Sequence, residues 1–238
     1  MRHIRNTALL CALGALVVML ASCGGSESSG SESGGSGPGG GESGRGDGSS
    51  PAEGSSSAGT FEPIAPELDV PYEGTASSRQ RLAAIEGRDA PALDVSSWMN
   101  SRGMTLEALR GEVVLLDFWG QWCPPCRALT PTMRRLWKDY HDRGLWVIGV
   151  HTNNDRSDEL KGRRYVNEHG IEYPIAFDKP GNPTARSRYL VDGYPDLFLI
   201  DHRGVLRYAD LDNSAPIRQL ESVIEALLAE RERDRRGA

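Results

Sequence analysis

Cysteine is scarce in this chain. Its 238 residues include 4, too few for a disulfide scaffold to stand in for a hydrophobic core. No apolar run reaches the ~20 residues that a membrane-spanning helix needs. The run from Thr7 to Leu20 falls short of that length and contains Gly14. The formal charge is −6 and no basic stripe dominates, which argues against nucleic acid as a partner. His141, His151, His169 and His202 do not complete a C-x-x-C…H-x₃₋₅-H pattern, so no metal site is expected. Internal repeats are lacking, and the composition excludes collagen and coiled coil. Glycine is abundant but unevenly placed: half of the 28 lie between Gly24 and Gly59, in a serine-rich tract. Such a tract buries too little apolar surface to offset the entropy of ordering it.

The N-terminus reads as an address. Arg2 and Arg5 precede the apolar run, and Leu20-Ala21-Ser22-Cys23 follows it. A basic start, a short apolar stretch and a small-residue cleavage site make a secretory signal over residues 1–22. Leu20-Ala21-Ser22-Cys23 resembles the bacterial lipobox, which implies cleavage before Cys23 and lipid on its sulfur and amine. The alternatives are an ordinary signal with a stray cysteine and an uncleaved anchor. Acyl chains would hold the protein at a membrane surface. Residues 23–60 then form a lipidated cysteine and a glycine/serine tether with an r.m.s. reach of about 35 Å. Residues 61–89 read as an extended, proline-bearing transition with a short helix over Ser78–Glu86. The folded domain is expected over residues 90–238.

Within that domain, Ala90–Asp94 and Trp98–Asn100 suggest an N-terminal hairpin. Val113–Trp119 and Leu145–Val150 are short, almost fully apolar runs, as in central strands. Between them, Ala128, Leu129, Met133, Leu136, Trp137 and Tyr140 recur at helical spacing. Pro124 and Pro125 suit that helix's first turn, and Pro131 is expected to kink it. A helix over Ser157–His169, a strand over Tyr173–Phe177, a short helix over Pro183–Tyr189 and strands over Asp196–Ile200 and Val205–Tyr208 follow. A last amphipathic helix starts at Pro216, and its charged end, Glu230–Arg236, is expected in solvent. Alternating strands and helices point to a three-layer α/β domain.

Once Cys11 leaves with the leader and Cys23 carries lipid, Cys123 and Cys126 remain. A disulfide between them would close a trivial loop and stabilise little. Two thiolates are half of a zinc site. Redox chemistry needs fewest additions. Cys123 would sit at a helix N-terminus, where free amides and the macrodipole favour a thiolate. Pro124 and Pro125 donate no N–H, so the stabilising donors must come from Cys126 onward. Cys123 is therefore the expected exposed nucleophile, and Cys126 the more buried resolving thiol. Asp117, in an apolar run, is either buried with a raised pKa or at a solvated edge. His151, just after a strand, reads as a polar strand-end residue, with a functional role as the alternative.

The segment Leu116–Cys126, the proline at 131, and Gly193-Tyr194-Pro195 before an apolar strand resemble the thioredoxin superfamily. The extra helix and strand between Ser157 and Phe177, the N-terminal hairpin and the lipobox resemble its membrane-anchored TlpA/ResA-like branch. The resemblance implies a thioredoxin-like fold with a mixed central sheet and an inserted helix–strand unit. It places Asp117 beneath the disulfide as proton acceptor for Cys126. It makes Pro195 cis, turning the backbone before it toward the cysteines to bind substrate as an added strand. Trp122, Pro124, Pro125 and Tyr194 line that substrate groove. No cofactor is expected beyond the Cys123–Cys126 couple.

The expected function is extracytoplasmic thiol–disulfide exchange with client proteins, served by a membrane thiol–disulfide donor or acceptor. Reduction in cytochrome c or metal-site maturation is the leading direction, and oxidation of exported proteins the alternative. A copper-binding assembly module is the non-enzyme alternative. A thiol peroxidase fits less well, since it needs a lone cysteine in a threonine-bearing loop.

Overall fold

The structure is a computed structural model and describes residues 72, 74–153, 155–181, 184–211 and 217–237. The signal, Cys23 and the linker lie outside the described residues. In chain order the elements are α1 (Ala76–Leu82), β1 (Val95–Met99), β2 (Val113–Trp119), α2 (Pro124–Tyr140), β3 (Leu145–His151), α3 (Arg156–Glu168), β4 (Ile175–Asp178), α4 (Ala185–Arg188), β5 (Asp196–Ile200), β6 (Leu206–Leu211) and α5 (Ile217–Gly237). Among the described residues, no helix is long and apolar enough to cross a membrane.

The six strands form one mixed sheet in the order β1-β4-β3-β2-β5-β6. β2, β3 and β4 run parallel, while β1, β5 and β6 are antiparallel to their neighbours. Every residue of β2 is buried, as expected for a central strand covered on both faces. Side chains alternate across it. Val113, Leu115 and Trp119 pack with residues of α2, α3 and α5. Val114, Leu116 and Phe118 pack with Leu82 of α1 and with Ala185 of α4. These are the two outer layers of a thioredoxin-like three-layer fold.

The expected N-terminal hairpin does not form. Gly87, Arg88 and Ala90 bond backbone to backbone with residues 204–206, beside β6. β1 instead pairs with β4 at the opposite edge of the sheet. Residues 90–94 therefore cross the sheet's width, and their two ends cannot pair with each other. The transitional segment does carry a helix, α1, and its Leu82 is buried in the core. Ordered packing thus begins upstream of residue 90.

The expected solvated end of α5 holds from Arg233 to Arg236, which are exposed, and is corrected at Glu230 and Arg231. Arg231 is buried, and its guanidinium bonds Glu112 at 2.8 Å and the Gly111 carbonyl. Glu230 pairs with Arg207, which is itself buried. Sequence periodicity sees the apolar stripe of a helix but not the cations buried beside it. α2 runs through Pro131 as one helix, although that proline offers no N–H to the turn before it.

Candidate active site

β2 ends at Trp119, and the chain turns through Gly120-Gln121-Trp122 into α2. Cys123 is the N-cap of α2, with extended backbone (φ −91°, ψ 112°). Pro124 and Pro125 occupy the first two helical positions, where a missing N–H costs nothing. The first amide able to point back is that of Cys126, and it donates to Cys123 Sγ at 3.2 Å. The free donor at the helix start thus meets the sulfur, as reasoned from the prolines. The two sulfurs are joined in a disulfide, with Cα atoms 5.3 Å apart.

The contrast in exposure expected between the cysteines is absent. Cys123 is 4% and Cys126 3% exposed. The disulfide draws the first sulfur in toward the second, and the Tyr194 carbonyl oxygen lies 3.6 Å from it. What is exposed is the collar around it: Trp122, Pro124 and Pro125.

The Tyr194–Pro195 peptide bond is cis. It sits immediately before β5 and turns the Tyr194 carbonyl to the sulfur. The Tyr194 ring meets the Trp122 ring edge-on at 5.2 Å, a favourable geometry for two quadrupoles. Trp122 is 43% exposed. The two aromatics and the Tyr194 backbone form one wall beside the disulfide. Trp119, by contrast, is a core residue, packed against Tyr165 and His151.

Asp117 is buried in β2, in register with Gly149 of β3 and Leu197 of β5. By strand alternation it faces the side on which Trp119, Cys123 and Cys126 pack. Its Oδ1 has no hydrogen-bond partner among the described residues. Burial alone lifts its carboxyl from the ordinary carboxylate range to about 7. A group poised there can take or give a proton near neutral pH.

Two supporting residues, Gly120 and Thr130, escaped the sequence reading, and a third, His151, had its role left open. A Cβ on Gly120 would lie 2.5 Å from the Trp122 ring, so glycine lets that ring fold back over the loop. A glycine beside two tryptophans was the available signal. Thr130 donates to the Cys126 carbonyl at 3.2 Å and meets the Tyr165 hydroxyl of α3 at 3.3 Å. His151, read as a strand-end polar residue, is fully buried and reaches Gln121 of the active-site loop. Among the described residues no group of three or more His, Cys, Asp or Glu side chains is placed to hold a metal ion.

Comparison with known proteins agrees with this geometry. The model of the AhpC/TSA family matches residues 87–209. The chain is 31% identical over 130 residues to thioredoxin-like protein YneN of Bacillus subtilis (strain 168), covering 55% of this chain and 74% of that protein. It is 31% identical over 133 residues to the thiol-disulfide oxidoreductase ResA of Bacillus thuringiensis (strain Al Hakam), covering 56% and 72%. A solved thiol-disulfide isomerase from Corynebacterium glutamicum superposes with a TM-score of 0.52 at 27% identity, over 58% of this chain and 96% of that one. The chain is a member of the AhpC/TSA family and, within the thioredoxin superfamily, a TlpA/ResA-like thiol-disulfide oxidoreductase.

Proposed function

We propose that this protein reduces disulfides of extracytoplasmic client proteins, held at a membrane by lipid on Cys23. The observation that carries the reading is one sulfur at a helix N-cap, facing a backbone carbonyl turned toward it by a cis-proline.

In the reduced enzyme the Cys123 thiolate attacks one sulfur of a client disulfide. A mixed disulfide forms, and the other client sulfur leaves as a thiolate. Cys126 then loses its proton and attacks Cys123 Sγ. That breaks the mixed disulfide, releases the second client thiolate and closes the Cys123–Cys126 bond. The client gains two electrons and the enzyme loses two. Asp117 accepts the proton of Cys126, a role suited to its pKa of about 7. A client segment lies along the Tyr194–Pro195 backbone as an added strand. Trp122, Pro124, Pro125 and the Tyr194 ring supply its apolar contacts. A membrane thiol–disulfide partner returns the electrons, so the couple needs no other cofactor. Run in reverse, the same steps oxidise clients. A shift of 30 mV is ~1.4 kcal/mol for this couple, about the strength of one hydrogen bond.

The decisive experiment is trapping with Cys126→Ser. The variant should accumulate mixed disulfides through Cys123, while Cys123→Ser should show no exchange. A Cys126→Ser protein that captures nothing in an extract where the wild type is active would overturn the attack-and-resolve scheme. The equilibrium potential of the couple separates reductase from oxidase. Release of the protein from membranes by Cys23→Ala tests the anchor.

A further inference from the structure

We propose that His151 is a positioning residue for the active-site loop: its imidazole, protonated on Nδ1, accepts a hydrogen bond from the Gln121 side-chain amide and so holds the loop that presents Trp122 and Cys123. This extends the exchange reading above and rests on it for its kinetic consequence.

His151 ends β3, opposite Trp119 in the register of the sheet. Both ring nitrogens have a neighbour. Nδ1 lies 2.8 Å from Asn153 Oδ1, and Nε2 lies 2.5 Å from Gln121 Oε1. The Asn153 amide is oriented by a third bond, from its Nδ2 to the Asp178 carbonyl of β4 at 2.8 Å. Its oxygen therefore faces His151, and Nδ1 must carry the hydrogen. A neutral imidazole has one N–H, which leaves Nε2 as an acceptor. One N–H cannot serve two oxygens, so we assign the Gln121 amide the flipped orientation, its isosteric nitrogen donating to Nε2. Burial keeps the ring neutral, lowering its pKa to about 4 against the opposing pull of Asn153, Asp158 and Glu159.

The ring has little room to swing. Trp119 meets it edge-on at 5.0 Å and Phe177 lies at 5.3 Å. Above it, α3 comes so close that a Cβ on Gly162 would stand 2.6 Å from Nε2. A histidine serving only the core would be satisfied by its own strands. This one links the β4 backbone, through Asn153, to a half-buried side chain next to Trp122. Gly120 allows Trp122 to lie over the backbone of the same loop. An ordered loop spares the exchange step the entropy of arranging it.

The test uses the full-length protein with two readouts. Nitrogen NMR of the imidazole at pH 7 should show a neutral ring protonated on Nδ1, with the Nε2 resonance moving in Gln121→Ala. The same variant should lower the rate of exchange with a disulfide-containing peptide about fivefold, the worth of one hydrogen bond, with the thermal midpoint lowered by a few degrees. Gln121→Glu removes the donor and should draw a proton onto Nε2, raising the pKa of His151 and adding a second inflection to the pH–rate profile beside that of Asp117. An imidazolium or an Nε2–H tautomer in the wild type, or an exchange rate unaltered in Gln121→Ala, would overturn the proposal. Were the wild type itself to exchange no disulfide, the functional reading would fail, and the NMR result would still decide the His151–Gln121 bond.

Discussion

Charge is buried in two regions of this domain, and it is treated differently in each. Where β5 turns into β6, Asp201 has a fully buried side chain, yet it accepts from Arg207 at 2.9 Å, from Arg203, and from the amides of Arg203 and Val205. Glu230 of α5 closes the same cluster through Arg207 and Arg203. At the centre of the sheet Asp117 is as deeply buried, and its Oδ1 has no hydrogen-bond partner among the described residues. A buried charge that is paired and bonded holds structure. A buried carboxyl without that support shifts its pKa instead, and such groups mark chemistry. The first region fastens α5 to the sheet. The second lies on the face where the disulfide packs.

Removing a partner from the paired region should give the largest stability change. Asp201→Ala removes one of the two carboxylates on the buried Arg207 guanidinium and the acceptor of the Arg203 and Val205 amides, and should cost about 3–5 kcal/mol, read by chemical denaturation. Exchange per folded molecule should be unchanged.

Asp117→Asn should do the reverse. Exchange near neutral pH should slow by on the order of tenfold to a hundredfold, in a pH–rate profile that loses its inflection near 7. Stability carries a sign. Because burial raises this carboxyl to about 7, its contribution is fully present below about pH 4 and lost as pH rises to about 7. The variant should lack that decline, seen as a smaller difference between unfolding midpoints at pH 4 and pH 8. An identical pH–rate profile would remove Asp117 from the mechanism.

Gly120→Ala sharpens the contrast between packing and function at the loop. The new methyl meets the Trp122 ring, which is exposed enough to swing away. Stability should change by about 1 kcal/mol or less, while exchange with a peptide disulfide weakens more than reaction with a small disulfide. Equal losses for both would show that Trp122 takes no part in client contact. The smallest effect belongs to the exposed pair Arg143–Glu225. Arg143→Ala should alter stability by less than about 1 kcal/mol, measured as a shift in denaturation midpoint.

Legibility in the sequence followed the range of the interactions involved. β2, β3 and β5 announced themselves as apolar runs, because a strand buried on both faces has no polar alternation to hide it. The start of α2 was legible because two prolines after a cysteine leave one place for the first donor. The pairing of β1 was not, since Val95–Met99 suits either a local hairpin or a distant edge. Only the docking of residues 87–90 beside β6 excludes the hairpin. The exposed nucleophile expected at Cys123 turned out buried in the disulfide state, because exposure depends on Tyr194, a residue far along the chain.

The order of bonds along the chain thus determined a cysteine at a helix start, a second cysteine one turn on, and the strands that carry them, since local sterics and hydrophobic period act over a few residues. Tertiary structure decided which carboxyl stays bare, which arginines are paired, and that a histidine at the end of β3 reaches the loop before Cys123. Desolvation and hydrogen bonding depend on what the rest of the fold brings within a few ångströms, and no local pattern encodes that.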